Sequence, residues 1–186
     1  MELSLKVVDK ILTNSDFTKS DIIKTLNIPE EKIETIHFGI DRKIFYKITD
    51  LKKIQNYKKK NKLPNNFILY ITTDYPHKNL NNLFKAFYKV KQNKNCKDLN
   101  LVITGSKQYI KGRSYLNESY KKIKDSVKFI GYVSDDDINL LYNSANMYVF
   151  PSLYEGFGFP ILEACACELP LLCSKTTSLP EIAGEG

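Results

Sequence analysis

Two glutamates and a lysine raise the first chemical question in this sequence. Glu155 and Glu163 bracket the run Glu155-Gly156-Phe157-Gly158-Phe159-Pro160-Ile161-Leu162-Glu163. Carboxylates accept hydrogen bonds from vicinal hydroxyls, which is the chemistry needed to hold a ribose or hexose ring. Gly156 and Gly158 carry no side chain to keep a bulky ligand off the backbone, and amides around such glycines can point at negative oxygens. Pro160 suits the first helical position, so a loop should turn into a helix at Phe159 or Pro160, with Glu163 near its first turn. The competing reading is a capping and solubilising pair, because an acid in a first turn is favoured by the helix dipole anyway.

The second candidate cluster is Thr72-Thr73-Asp74-Tyr75-Pro76-His77-Lys78-Asn79, between an apolar run and an amphipathic helix that begins at Leu80. A lysine at such a junction lies near free amides and a positive dipole end, a good place for a phosphate. By itself it is a weak signal and reads more readily as a solvated surface residue. Thr73 offers a neutral hydrogen bond, and His77 is either a phosphate partner or turn support. His37, the other histidine, precedes Phe38 and Gly39 at no recurring metal-ligand spacing from His77, so no metal site is expected.

These residues need a scaffold, and the apolar pattern supplies one. Short apolar runs at Phe67 to Ile71, Leu99 to Thr104, Val127 to Ile130, Met147 to Phe150 and Leu169 to Cys173 alternate with helical periodicity at Leu80 to Val90, Tyr115 to Ile123, Asp135 to Asn143 and Ile161 to Ala166. Such alternation implies an α/β domain with a parallel sheet covered by helices on both faces, and ligands then bind beyond the carboxyl ends of the strands. The first three runs are expected to be central strands. Ser134 is expected to cap its helix, with Asp137 in a variant of the reciprocal capping box. Before Leu63-Pro64-Asn65-Asn66 the chain reads separately, as strand (Val7 to Leu12), helix (Phe17 to Leu26), turn at Pro29 and strand (Ile33 to Ile36).

Composition narrows the class. Hydrophobic residues make up 42% of 186 residues, enough for one sizeable core and against a disordered chain. None of the apolar runs approaches the roughly 20 residues that span a bilayer, and the start does not read as a secretory signal. Cys96, Cys165, Cys167 and Cys173 form no CxxC pair and read as buried or partly buried free thiols in a reducing compartment. The net charge of +7 suits an anionic ligand or surface. Lysine clusters at 52–53, 58–60 and 121–124 lack interleaved aromatics, which counts against nucleic acid.

The order of segments resembles the carboxyl-terminal half of retaining two-domain glycosyltransferases of the GT-B type, the family with the E-x7-E signature, also called glycosyl transferases group 1 or family 4. The signature matches Glu155 through Glu163. Val127-Lys-Phe-Ile-Gly131-Tyr-Val133 with Leu140-Leu-Tyr142 and Ala145 resembles the segment before it, and Leu169 to Ser174 through Leu179-Pro-Glu181 the segment after it. Thr13-Asn-Ser-Asp-Phe17 and Gly39-Ile-Asp41 resemble the connection into that half, so the likeness covers nearly the whole chain.

The resemblance implies a Rossmann-like donor domain at 63–186 and a remnant of the interdomain region at 1–62. It implies transfer of a hexosyl unit from a nucleotide sugar to a hydroxyl with retention, and no metal or other cofactor. Glu163 would bind ribose, Glu155 the donor sugar, Lys78 the diphosphate, and Gly156, Phe157, Gly158 and Phe159 the donor through their amides. The usual pattern has an arginine or threonine soon after the first strand and often an arginine before the lysine; Thr73 and His77 stand there.

A glycan, lipid-linked or protein acceptor is expected, with a separate amino-terminal-half polypeptide as partner. The expected location is cytoplasmic, peripheral at a membrane surface. The alternative is a donor-fold binding or scaffold module without turnover, or half of a split enzyme.

Overall fold

The computed structural model describes residues 7–72, 75–105 and 118–184. Its main sheet has five parallel strands: β3 (Phe67–Ile71), β4 (Asn100–Thr104), β5 (Val127–Gly131), β6 (Met147–Phe150) and β7 (Leu171–Cys173). They lie in the order β5-β4-β3-β6-β7. β3 is the centre of the sheet. β5 is an edge strand, contrary to its expected central place, and all five of its residues are only half-buried. Its apolar pattern reflects the helices on its two faces, a signal that does not distinguish edge from centre.

Side chains alternate along these strands and so sort into two cores. Phe67, Leu69, Val102, Tyr148 and Phe150 face α2 (Leu51–Lys60), α5 (Asp135–Ser144), α6 (Phe159–Ala166) and α7 (Leu179–Ala183). Tyr70, Leu101, Ile103 and Val149 face α3 (Leu80–Lys91) and α4 (Glu118–Ile123). In α3 the residues Leu80, Leu83, Phe84 and Phe87 recur every three or four positions and form the buried stripe. Each large side chain buried in this way contributes roughly 1.5–3 kcal/mol.

A separate two-stranded parallel sheet joins β1 (Ile11–Thr13) and β2 (Ile33–Thr35), spanned by α1 (Asp16–Leu26). Ile11, Ile28 and Ile33 form its small core, whereas Leu12, Ile36 and Phe38 on the outside are about half exposed or more. Ser15 caps α1 by accepting from the Thr18 amide, and Asn27 ends it in the left-handed conformation.

Two local expectations change. Ser134 stands at the N-cap of α5, but its side chain makes no capping bond; its carbonyl accepts from Asp137 and Ile138 instead, and Asp135, Asp136 and Asp137 complement the helix dipole. Cys165 is exposed and so departs from the expected burial, while Cys167 is buried against Asn139. Among the described residues, no helix is long and apolar enough to cross a membrane.

Candidate nucleotide-sugar site

The connections out of β3 and β6 diverge. β3 leads through α3 to β4 on one side, β6 leads through α6 to β7 on the other, and the two helices cover opposite faces. A crevice at the carboxyl ends of such neighbouring strands is the general ligand position of open α/β sheets. Lys78 lies after β3 and Glu155 after β6, so the topology brings the two candidate segments to this crevice.

Lys78 closes a short helical turn, Pro76–Lys78, before left-handed Asn79 starts α3. Three bonds stitch this turn to its surroundings: the Tyr70 hydroxyl donates to the Lys78 carbonyl at 2.6 Å, the Leu153 amide to the His77 carbonyl at 2.7 Å, and Asn79 Nδ2 to the Pro151 carbonyl at 2.9 Å. Lys78 Nζ donates to Glu155 Oε1 at 2.6 Å and sits 5.4 Å from the Phe150 ring centroid. The pair is largely buried, at 17% and 14% exposure. An ammonium has three donors, and Glu155 takes one. His77 stacks on Tyr75 at 5.6 Å, beside this pair in sequence. Thr73 lies outside the described residues.

The loop after Glu155 has its acceptors occupied. Ser178 Oγ donates to the carbonyls of Glu155 and Phe157, at 3.0 and 2.8 Å. Ser15 Oγ and Thr18 Oγ1 both donate to the Gly156 carbonyl, at 2.8 and 3.2 Å. Among the described residues, no protein acceptor takes the amides of Gly156, Phe157, Gly158 or Phe159. Amides without acceptors at the entry to a helix are donors of the kind an anion can use. Gly158 has φ +119°, and a Cβ there would lie 3.1 Å from Leu179 Cδ2, so its identity is fixed by geometry. Gly156 would tolerate a Cβ, whose nearest neighbour is 3.9 Å away.

Helix α6 begins at Phe159, one of the two expected starts, with Pro160 as its second residue. Glu163 is therefore the fifth helical residue, beyond the first turn, and the dipole argument for an acid there lapses. The Tyr142 hydroxyl donates to Glu163 Oε2 at 2.6 Å. Burial raises the pKa of Glu163, and this bond pulls it back down. Burial also raises the pKa of Tyr148, with further upward pushes from Tyr70, Glu163 and Glu155, so both carboxylates act on one side chain of β6.

Sequence reasoning assigned no role to Tyr142, Ser15, Thr18, Ser178 or Glu181. Glu181 accepts from the amides of Asp16 and Phe17, and His37 Nε2 contacts the same carboxylate. All but Thr18, one residue past Phe17, lie in segments that carry the family resemblance, which was the available signal. Asp16, His37 and Glu181 form one exposed cluster of metal-ligand type, but the amides of α1 already engage its carboxylate.

A family model for glycosyl transferases group 1 matches residues 52–186. The chain belongs to that family. It is 33% identical over 184 residues to O-antigen chain mannosyltransferase B of Escherichia coli, covering 98% of this chain and 47% of the relative. Identity to O-antigen chain mannosyltransferase RfbU of Salmonella typhimurium is 30% over 186 residues, 100% of this chain and 48% of the relative. The chain thus spans about half the length of these curated relatives. Among solved structures, HepE of Anabaena in complex with UDP and glucose superposes with a TM-score of 0.80 at 20% identity, over 96% of this chain and 48% of that one. The fold of this family member is accordingly Rossmann-like, as in the carboxyl-terminal half of a GT-B structure.

Proposed function

We propose that the chain is the donor-binding half of a retaining glycosyltransferase that moves a hexosyl unit, a mannosyl unit in the first instance, from a nucleotide diphosphate sugar to a hydroxyl of a growing glycan. The observation that carries this reading is the Lys78–Glu155 pair at the crevice between β3 and β6, set beside four unengaged amides. The mannosyltransferase relatives support the sugar, and the UDP-bound neighbour supports the donor class.

In this reading Lys78 and the amides of Gly156 to Phe159 receive the diphosphate, with Thr73 and His77 beside them. Leaving of the nucleotide develops negative charge on those phosphates, and donors already aimed at it lower the barrier without reorganisation. Glu155 stands against the donor sugar, where a carboxylate stabilises positive character at the anomeric carbon. Glu163 accepts from the ribose. The acceptor attacks from the face the leaving group occupies, which retains configuration. No metal or other cofactor is needed, because Lys78 and the amides supply the positive charge. The acceptor, a glycan or lipid-linked glycan, is held by a second half, and the protein works in the cytoplasm at a membrane surface.

Calorimetry with UDP- and GDP-sugars against the matching nucleosides tests the assignment. The sugar nucleotides should bind at least about tenfold more tightly, as expected for hydrogen bonds to charged groups. Lys78→Ala should abolish that preference, and equal affinity for nucleoside and sugar nucleotide would refute the phosphate role.

A further inference from the structure

Tyr142 has no exposed surface, and its hydroxyl ends 2.6 Å from Glu163 Oε2. A buried tyrosine hydroxyl needs a partner, but a carboxylate is a costly one to bury, since burial penalises its charge. The arrangement around the pair is rigid. The Tyr142 ring packs edge-on against Phe45 and Tyr148, with centroids 6.0 and 5.5 Å away. Its helix α5 is bolted in place by neighbouring asparagines: Asn139 Oδ1 accepts from the Tyr46 amide at 3.2 Å and from Cys167 Sγ at 3.1 Å, and Asn143 Oδ1 accepts from the Ile48 amide at 2.8 Å. The hydroxyl therefore has little freedom to leave the carboxylate.

We propose that Tyr142 is a positioning residue for nucleotide binding, whose hydroxyl fixes one oxygen of Glu163 so that the other, Oε1, accepts from a ribose hydroxyl. This rests on the assignment of Glu163 to the ribose given above. The titratable groups facing Glu163 are Tyr142 and Asp135 of α5, Tyr148 of β6 and Cys167 at the end of α6. Of these only the Tyr142 hydroxyl favours the carboxylate; Asp135 opposes it, and burial opposes it most. Without the hydroxyl, Glu163 should take up a proton at higher pH and present an O–H where the ribose requires an acceptor.

The test uses the full chain with UDP and GDP and their 2′,3′-dideoxy counterparts, comparing the unmodified protein with Tyr142→Phe and Glu163→Gln. Carboxyl carbon NMR on the protein without nucleotide follows the Glu163 ionisation directly. The unmodified chain should prefer the ribonucleotides by about tenfold or more. Tyr142→Phe, which keeps the ring packing, should cut the preference at least about threefold and move the midpoint of Glu163 upward, so that the loss deepens as pH falls.

An unchanged midpoint in Tyr142→Phe overturns the proposal whatever the binding data say. Loss of the ribose preference in Glu163→Gln with full retention in Tyr142→Phe overturns the positioning role alone and leaves the ribose assignment standing. Retention in Glu163→Gln, or no nucleotide binding by the unmodified chain, overturns both.

Discussion

Lys78 and Glu155 hold each other where solvent reaches only 17% and 14% of their side chains. Such a pair lies between an exposed ion pair, worth at most about 1 kcal/mol, and a fully buried one, whose breaking costs about 3–5 kcal/mol. Lys78→Ala should therefore destabilise the chain by roughly 1–3 kcal/mol, because Glu155 is left without its cation. Adding Glu155→Gln should recover part of that loss, which thermal melts in a double-mutant cycle would measure; a purely additive double variant would show that the pair carries no coupling.

Glu163 makes the opposite prediction. Its pKa is raised by burial, so the folded state holds the proton more tightly than the unfolded chain, and stability falls as pH climbs from the ordinary carboxylate value, about 4.3, through the raised one. Glu163→Gln keeps an acceptor for Tyr142 and removes the charge. It should gain on the order of 1 kcal/mol at neutral pH, or roughly 2–4 °C in Tm. The gain should vanish below about pH 3, where the carboxyl is neutral in both the folded and the unfolded chain. A Tm difference independent of pH would contradict this account.

At the scale of elements, the two glycines of the loop separate into different roles. Gly158 combines φ +119° with a Cβ position 3.1 Å from Leu179, so Gly158→Ala should cost about 1–3 kcal/mol and disturb the start of α6. Gly156→Ala should leave the melting temperature within about 2 °C, since the new methyl meets nothing closer than 3.9 Å. Chemical denaturation of both variants checks the contrast. The sequence carried both glycines as equal members of one motif, and only the backbone angle tells them apart. It made the strands and helices legible because period and turn residues are local signals. Strand order is not local: nothing in Val127 to Gly131 announces an edge. Tyr142 escaped for a similar reason, since its partner lies 21 residues on, in another helix.

At the scale of the whole molecule, 186 residues span about half the length of the mannosyltransferase relatives. In the function proposed above, transfer needs two reactants in register, and orientation alone is worth on the order of 7–11 kcal/mol of the barrier. The polypeptide assayed alone should bind donor yet transfer sugar slowly, if at all. Supplying an acceptor-binding half should restore transfer, and Glu155→Gln or Lys78→Ala should suppress the restored rate. A product assay that found ordinary enzyme rates without any partner would reject this division of labour.

The Gly156 carbonyl gives the smaller sheet a part in that division. It receives hydroxyls from Ser15 and Thr18, which belong to the first turn of α1 and so to the β1–β2 unit. The peptide that presents the Phe157 amide is thus shared property of two sheets. If the small unit rotates, it must either carry that peptide along or break two hydrogen bonds. Phe38, just past the same unit, packs on the Phe157 and Phe159 rings with centroids 5.3 and 5.2 Å away, so a push on the exposed Leu12 and Ile36 would reach that loop through stacked rings as well as through the carbonyl.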